Sequence, residues 1–294
     1  MAYYVRILPS GDADGVWEIT DTFARCVSHP GSLTEWAPMD GLSMWDTLRA
    51  RLGWFMPENP EPFRVLRLEP GQYYPRMVRP FIPETSLFPA DPVFRAEDQR
   101  FIASSLLQLD TMRRHLDEIC RTVEPDTANM NAFGHSIRNL LILASTEVEM
   151  HWRGILQANG MMRTRYTTND YVALREAMKL YDFSVRFLDY PWLGDFAPFA
   201  NWNPTNPTGS LAWYAAYNAV KHDREKDFPQ ASLGNAFDAV AAIIVIMAAQ
   251  FGRYLGMNGG IISVEITRFP FWPVEECYSP AVGGVETVAT PFPF

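Results

Sequence analysis

Residues 239–249 read AVAAIIVIMAA, eleven apolar residues in succession. A helix that is apolar on every side has to be covered on every side. The run is shorter than the roughly 20 residues that cross a bilayer, and Asp238 and Gln250 bound it. The sequence therefore predicts a buried core helix over residues 231–255, closed by Gly256, with other helices packed around it.

Candidates for those neighbours lie upstream. From Ala96 the stretch AEDQRFIASSLLQLDTMRRHLDEICRTV contains no Gly or Pro and sets Phe101, Leu109, Met112, Leu116 and Ile119 at helical spacing. A second helix is expected over residues 133–158, with Ile137, Leu140, Leu141, Ala144, Val148, Trp152 and Ile155 on one face and Asn159-Gly160 as its stop. A third is expected over residues 171–188, opened by Thr168-Asn169-Asp170. Residues 190–208, YPWLGDFAPFANWNPTNPT, are too rich in Pro and Asn for a helix and read as a long ordered loop. It delivers the chain to a fourth helix that starts near Ser210 and ends before Pro229.

The first 95 residues have another texture. Short extended pieces, YYVRIL and FRVLRLE, alternate with turn-rich stretches such as PSGDADG and PENPEP. ISVEITRF near the C-terminus is a further strand candidate, expected to return to this β part. The expected organisation is a small β-containing, Pro-rich part over residues 1–95, an α-helical domain over residues 96–257, and a strand with a Pro- and Phe-rich tail over residues 258–294. The fold class that follows is mainly α, a helical bundle carrying a small β part.

Composition narrows the function. A net charge of −9 argues against broad attraction to nucleic acid. The three cysteines, Cys26, Cys120 and Cys277, form no CxxC pair, which fits a reduced compartment. MAYYVRILPS has neither the basic start nor the apolar segment of a signal peptide, and a cytoplasmic protein without a membrane partner is expected. No Glu-x-x-His pair occurs, and no metal or other cofactor is expected.

The densest polar and aromatic cluster is WYAAYNAVKHDREK, residues 213–226. At about 100° per residue, Tyr214, Asn218, Lys221, His222 and Glu225 share one arc, and Ala212, Ala216, Ala219 and Val220 lie elsewhere. Exposed aromatics gain little where they stand, so Trp213, Tyr214 and Tyr217 within one turn argue against an idle surface, and the cluster of Tyr214, Asn218, Lys221 and His222 suggests a ligand with acceptor oxygens. YNAVKH resembles the signature of the HEPN superfamily, whose nuclease members carry an Arg, a polar residue and, a few residues on, a His on one helix. Asn218 and His222 match the last two positions, and Tyr217 stands where the Arg is expected. The resemblance implies a homodimer or higher homo-oligomer that binds or cleaves RNA or a nucleotide ligand in a bacterial toxin or anti-phage defence system. In it, metal-independent cleavage would use His222 as acid or base and Asn218 beside it, with Arg224 or Lys221 as the substitute cation. Arg153 and His151 of the second long helix would add to a ligand site made with Tyr214, Tyr217 and Glu225. The other reading is a non-enzymatic scaffold or sensor that grips a protein or small ligand with the aromatic, Pro-rich loop at residues 190–208.

Overall fold

The computed structural model describes residues 2–28, 35–82, 96–252, 263–281 and 287–294, and the side chains of residues 96–98 and 224 fall outside the description. The expected domain boundaries near residues 95 and 257, and the expected helix end at Gly256, lie outside the described residues. The chain divides into two compact units. One is formed by residues 1–74, 79–92 and 271–290, the other by residues 75–78, 93–270 and 291–294.

The first unit is built on β1 (Ala2–Ile7), β2 (Ala13–Ile19), β3 (Ala24–Cys26), β4 (Glu35–Trp36) and β5 (Phe63–Val65). They form one antiparallel sheet in the order β4-β3-β2-β1-β5. Side chains of β2 feed two apolar clusters, alternating from Val16 onward, with a register shift between Val16 and Ala13 that brings Ala13 back to the side of Val16. Ala13 and Val16 pack into a cluster with Val5, Leu66, Ile82 and Trp272, whereas Trp17 and Ile19 enter a second cluster with Ala24 and with Met44 and Leu48 of α1 (Met44–Arg51). Two more short strands, β6 (Gln72–Tyr73) and β9 (Val288–Ala289), pair in parallel.

In the second unit the long helices are α2 (Ala96–Cys120), α3 (His135–Ala158), α6 (Ala212–His222) and α8 (Leu233–Phe251). Short helices α4 (Thr168–Tyr171) and α5 (Ala173–Ala177) follow α3, and α7 (Arg224–Asp227) follows α6. The apolar run lies within α8, where α2, α3 and α6 all pack against it. Every residue from Ala239 to Gln250 is buried. By length and composition α8 resembles a membrane span, yet 83% of its apolar window is enclosed by the protein. Ser232 starts the helix, its Oγ accepting from the Asn235 amide.

Helices take 44% of the described residues and strands 16%. This mixed α/β composition overturns the expectation of a mainly α helical bundle. Two local causes account for the difference. The N-terminal pieces are full members of a five-stranded sheet with apolar clusters of its own. The expected helix over residues 171–188 stops at Ala177, because Lys179 takes the left-handed conformation at φ 48°. The chain then forms β7 (Ser184–Phe187), which pairs antiparallel with β8 (Val264–Arg268). The strand in ISVEITRF thus exists, but its partner is β7 of the same unit, not an N-terminal strand.

Candidate functional site

The polar stripe expected on the fourth helix does not stand free as a site. Tyr214 is 4% exposed and Tyr217 1% exposed, because α6 turns both rings inward with Trp213. They join Trp152 of α3, Tyr171, Phe199 and Trp202 in a continuous aromatic core. Trp152 and Trp202 stack at 5.0 Å with planes 18° apart. The loop prolines hold this core from outside: the Trp202 indole donates to the Pro207 carbonyl and the Trp213 indole to the Pro198 carbonyl. The aromatics taken as a sign of a ligand are therefore packing residues.

The hydroxyl ends of Tyr214 and Tyr217 reach polar groups. Tyr214 donates to Glu149 Oε1 at 2.5 Å, and Lys221 Nζ donates to Tyr217 Oη at 2.8 Å. Burial, reinforced by the bond to Glu149, pushes the Tyr214 phenol well above its usual range. The Asn218 amide is spent on the Tyr214 carbonyl within its own helix. His222 is the last residue of α6 and is exposed, as are Lys221, Glu225 and Arg153. Arg153 lies beside the phenol of the buried Tyr171. The Arg224 side chain lies outside the described residues.

His151 belongs elsewhere. It is fully buried, and its Nδ1 lies 3.1 Å from Gln250 Nε2 and 3.4 Å from Arg76 Nη2. Both neighbours are donors, so Nδ1 accepts and the ring proton sits on Nε2, 3.6 Å from Glu147 Oε1. Burial, then the charge of Arg76, lowers His151 to about 3. Arg76 also donates to Gln250 Oε1 at 2.8 Å and lies over the Phe101 ring. This is an internal polar node of the second unit.

A different part of that unit is open. A cleft of about 480 Å³ lies between the C-terminal end of α2 and the start of the Pro-rich loop. From the helix side come Arg113, Asp117, Cys120, Arg121 and Glu124; from the loop come Asp189, Tyr190 and Trp192; Ser263 completes it. Spacings of i, i+4, i+8 and i+11 place Arg113, Asp117, Arg121 and Glu124 along one side of the helix and its exit. Arg113 donates to Asp117 Oδ2 at 2.6 Å and lies 3.6 Å from carboxylate oxygens of both Asp110 and Asp189.

The aromatic wall is fixed yet open. Trp192 is 59% exposed, although its indole N–H donates to the Pro125 carbonyl at 2.7 Å. Tyr190 meets it edge-on at 6.0 Å and donates to Asp117 Oδ1 at 3.0 Å. Burial, with Cys120 and Asp117 beside it, raises the Tyr190 phenol, so it stays a protonated donor. Burial likewise pushes the Cys120 thiol up to about 11, which keeps it from acting as a thiolate nucleophile at neutral pH.

Sequence reading placed a gripping aromatic loop at residues 190–208 but did not single out its polar counterpart on α2. The available signal was the run of charges RRHLDEICRTVE, which recurs along one helical side directly before Pro125. A second cavity, about 330 Å³, is lined by His115, Glu118 and His135. Among the described residues no three His, Cys, Asp or Glu side chains are grouped to hold a metal ion. No family model, curated protein or solved structure matches this chain.

Proposed function

We propose that this protein is a non-enzymatic binding or sensor protein that takes a small ligand in the cleft between α2 and the Pro-rich loop. The observation that carries the reading is Trp192, a large ring held in place by its own indole hydrogen bond and by Tyr190 while more than half of its surface faces solvent. An exposed ring that is immobilised loses little entropy on binding. The cleft volume falls within the range of small-molecule sites, which join an apolar surface to a few fixed polar groups. The Cys120 thiol and the Tyr190 phenol are both held protonated, which favours binding over nucleophilic catalysis. A thermal-shift screen of a small-molecule library tests the reading. Hits are expected to raise the melting temperature of wild type and to lose that effect in Trp192→Ala; hits indifferent to that change would refute it.

The exposure of His222 and Lys221 on the last turn of α6 favours a second reading, the one implied by the HEPN resemblance. In it a cytoplasmic homo-oligomer binds or cleaves RNA through these groups. Incubation with single-stranded RNA and EDTA, beside a gel-shift with the same RNA, tests it: cleavage or binding lost in His222→Ala would support this reading, and RNA left intact and unbound would remove it.

A further inference from the structure

Resting on the cleft reading, we infer that the ligand is an organic cation, an alkylammonium or guanidinium group seated against Trp192. The argument turns on which groups of the cleft are already committed. The two neutral donors of its aromatic wall are spent: the Trp192 indole N–H on the Pro125 carbonyl, and the Tyr190 hydroxyl on Asp117. Arg113 is enclosed by Asp110, Asp117 and Asp189, and its side chain is only 17% exposed. What remains toward solvent is the face of Trp192 and the carboxylates of Asp189 and Glu124, with Arg121 as the one outward cation among the described lining residues.

An aromatic face is negative at its centre and attracts a cation lying over it, the more so with carboxylates at its edge. The carboxylates also accept the N–H bonds that an ammonium or guanidinium brings. Asp189 has this capacity: at 3.6 Å from Arg113 it is in ion-pair range but beyond hydrogen-bond range, and its side chain is 47% exposed. Charge over the lining agrees in sign, since Asp117, Glu124 and Asp189 face Arg113 and Arg121. The net charge of −9 over the chain adds a long-range attraction of the same sign. An anionic ligand would face the open carboxylates of Asp189 and Glu124, with Arg121 as the one outward cation among the described lining residues.

Isothermal titration calorimetry with three probes of one shape tests this: choline, its neutral isostere 3,3-dimethylbutanol, and the anion 3,3-dimethylbutanoate. Choline is expected to bind at least about fivefold more tightly than the alcohol, and the anion not at all. The preference should weaken about fivefold in Trp192→Ala and Asp189→Asn, and fade with salt. Spermidine and an amidated Gly-Lys-Gly peptide then separate two sources of the same chemistry, a free polyamine and a basic side chain of a partner. Tighter spermidine binding points to the first, tighter peptide binding to the second, and either supports the inference. If the alcohol or the anion equals choline and binding still depends on Trp192, the charge inference is overturned and the cleft reading stands. If no probe binds and the thermal-shift screen gives no Trp192-dependent hit, both fall.

Discussion

Replacement of Tyr217 by Ala separates a core residue from a member of an exposed site. Tyr217 is 1% exposed and its ring centre lies 5.5 Å from that of Tyr214. Its only polar tie among the described contacts is the Lys221 bond at 2.8 Å, made by a lysine that stands in solvent. Removing a buried aromatic side chain costs about 3–5 kcal/mol, because the cavity left behind only partly collapses. The exposed Lys221 bond adds little to this. At roughly 2–4 °C per kcal/mol for a unit of this size, the melting temperature should fall by about 6–20 °C. Tyr217→Phe keeps the ring and should stay within about 0.5–1 kcal/mol of wild type. Circular dichroism melts with urea titrations at constant slope read both values. A Tyr217→Ala protein within about 1 kcal/mol of wild type would refute the placement of this ring in the core.

Three further outcomes follow from the same packing. A Cβ at Gly154 would lie 1.9 Å from Arg76 Nη1, so Gly154→Ala should displace that guanidinium from Gln250 and His151 and cost about 1–3 kcal/mol; a neutral effect in urea unfolding would contradict the node. His151 is lowered to about 3 when folded, against 6.5 as its ordinary value. The unfolded chain therefore takes up this proton first, and stability should fall as pH drops from about 6.5 toward 3, by up to about 1.4 kcal/mol per pH unit from this group, with no contribution above that window. Its ring-proton NMR signal should hold still from pH 8 to 4.5, and a midpoint near 6 would contradict the assignment. His222→Ala, at an exposed helix end, should change stability by less than about 0.5 kcal/mol, and a clear drop in melting temperature would show that its side chain is packed.

Much of the helical unit was legible because burial imposes period. Phe101 through Ile119 and Ile137 through Ile155 mark the inward sides of α2 and α3, and the uninterrupted apolar run marks α8 as the element enclosed by the others. The break after Ala177 was hidden, because Lys179 carries no sign of a left-handed backbone and Leu180 continues the apolar spacing. Strand partners were hidden for a related reason: ISVEITRF reads as a strand whichever edge it meets, and tertiary packing selects β7. The inward turn of Tyr214 and Tyr217 on α6 was hidden because angular arcs show which residues share a side but not which side faces inward. Ala216 and Val220 of the expected packed face are buried, and Trp213, Tyr214 and Tyr217 fill the core beside them. The cleft joins residues about 70 positions apart, exemplified by Tyr190 and Asp117 with a separation of 73, and local pattern cannot join them.

The Trp192 indole N–H resonance in a nitrogen–proton correlation spectrum, identified by its loss in Trp192→Phe, gives the most direct test of the cleft as the binding site. Titration with choline or with a hit from the thermal-shift screen should move this signal and the Asp189 and Glu124 amides in a single saturable curve. Signals from the exposed end of α6, Lys221 and His222, should stay in place. Saturable shifts confined to Lys221 and His222, with the Trp192 indole unmoved, would contradict the account.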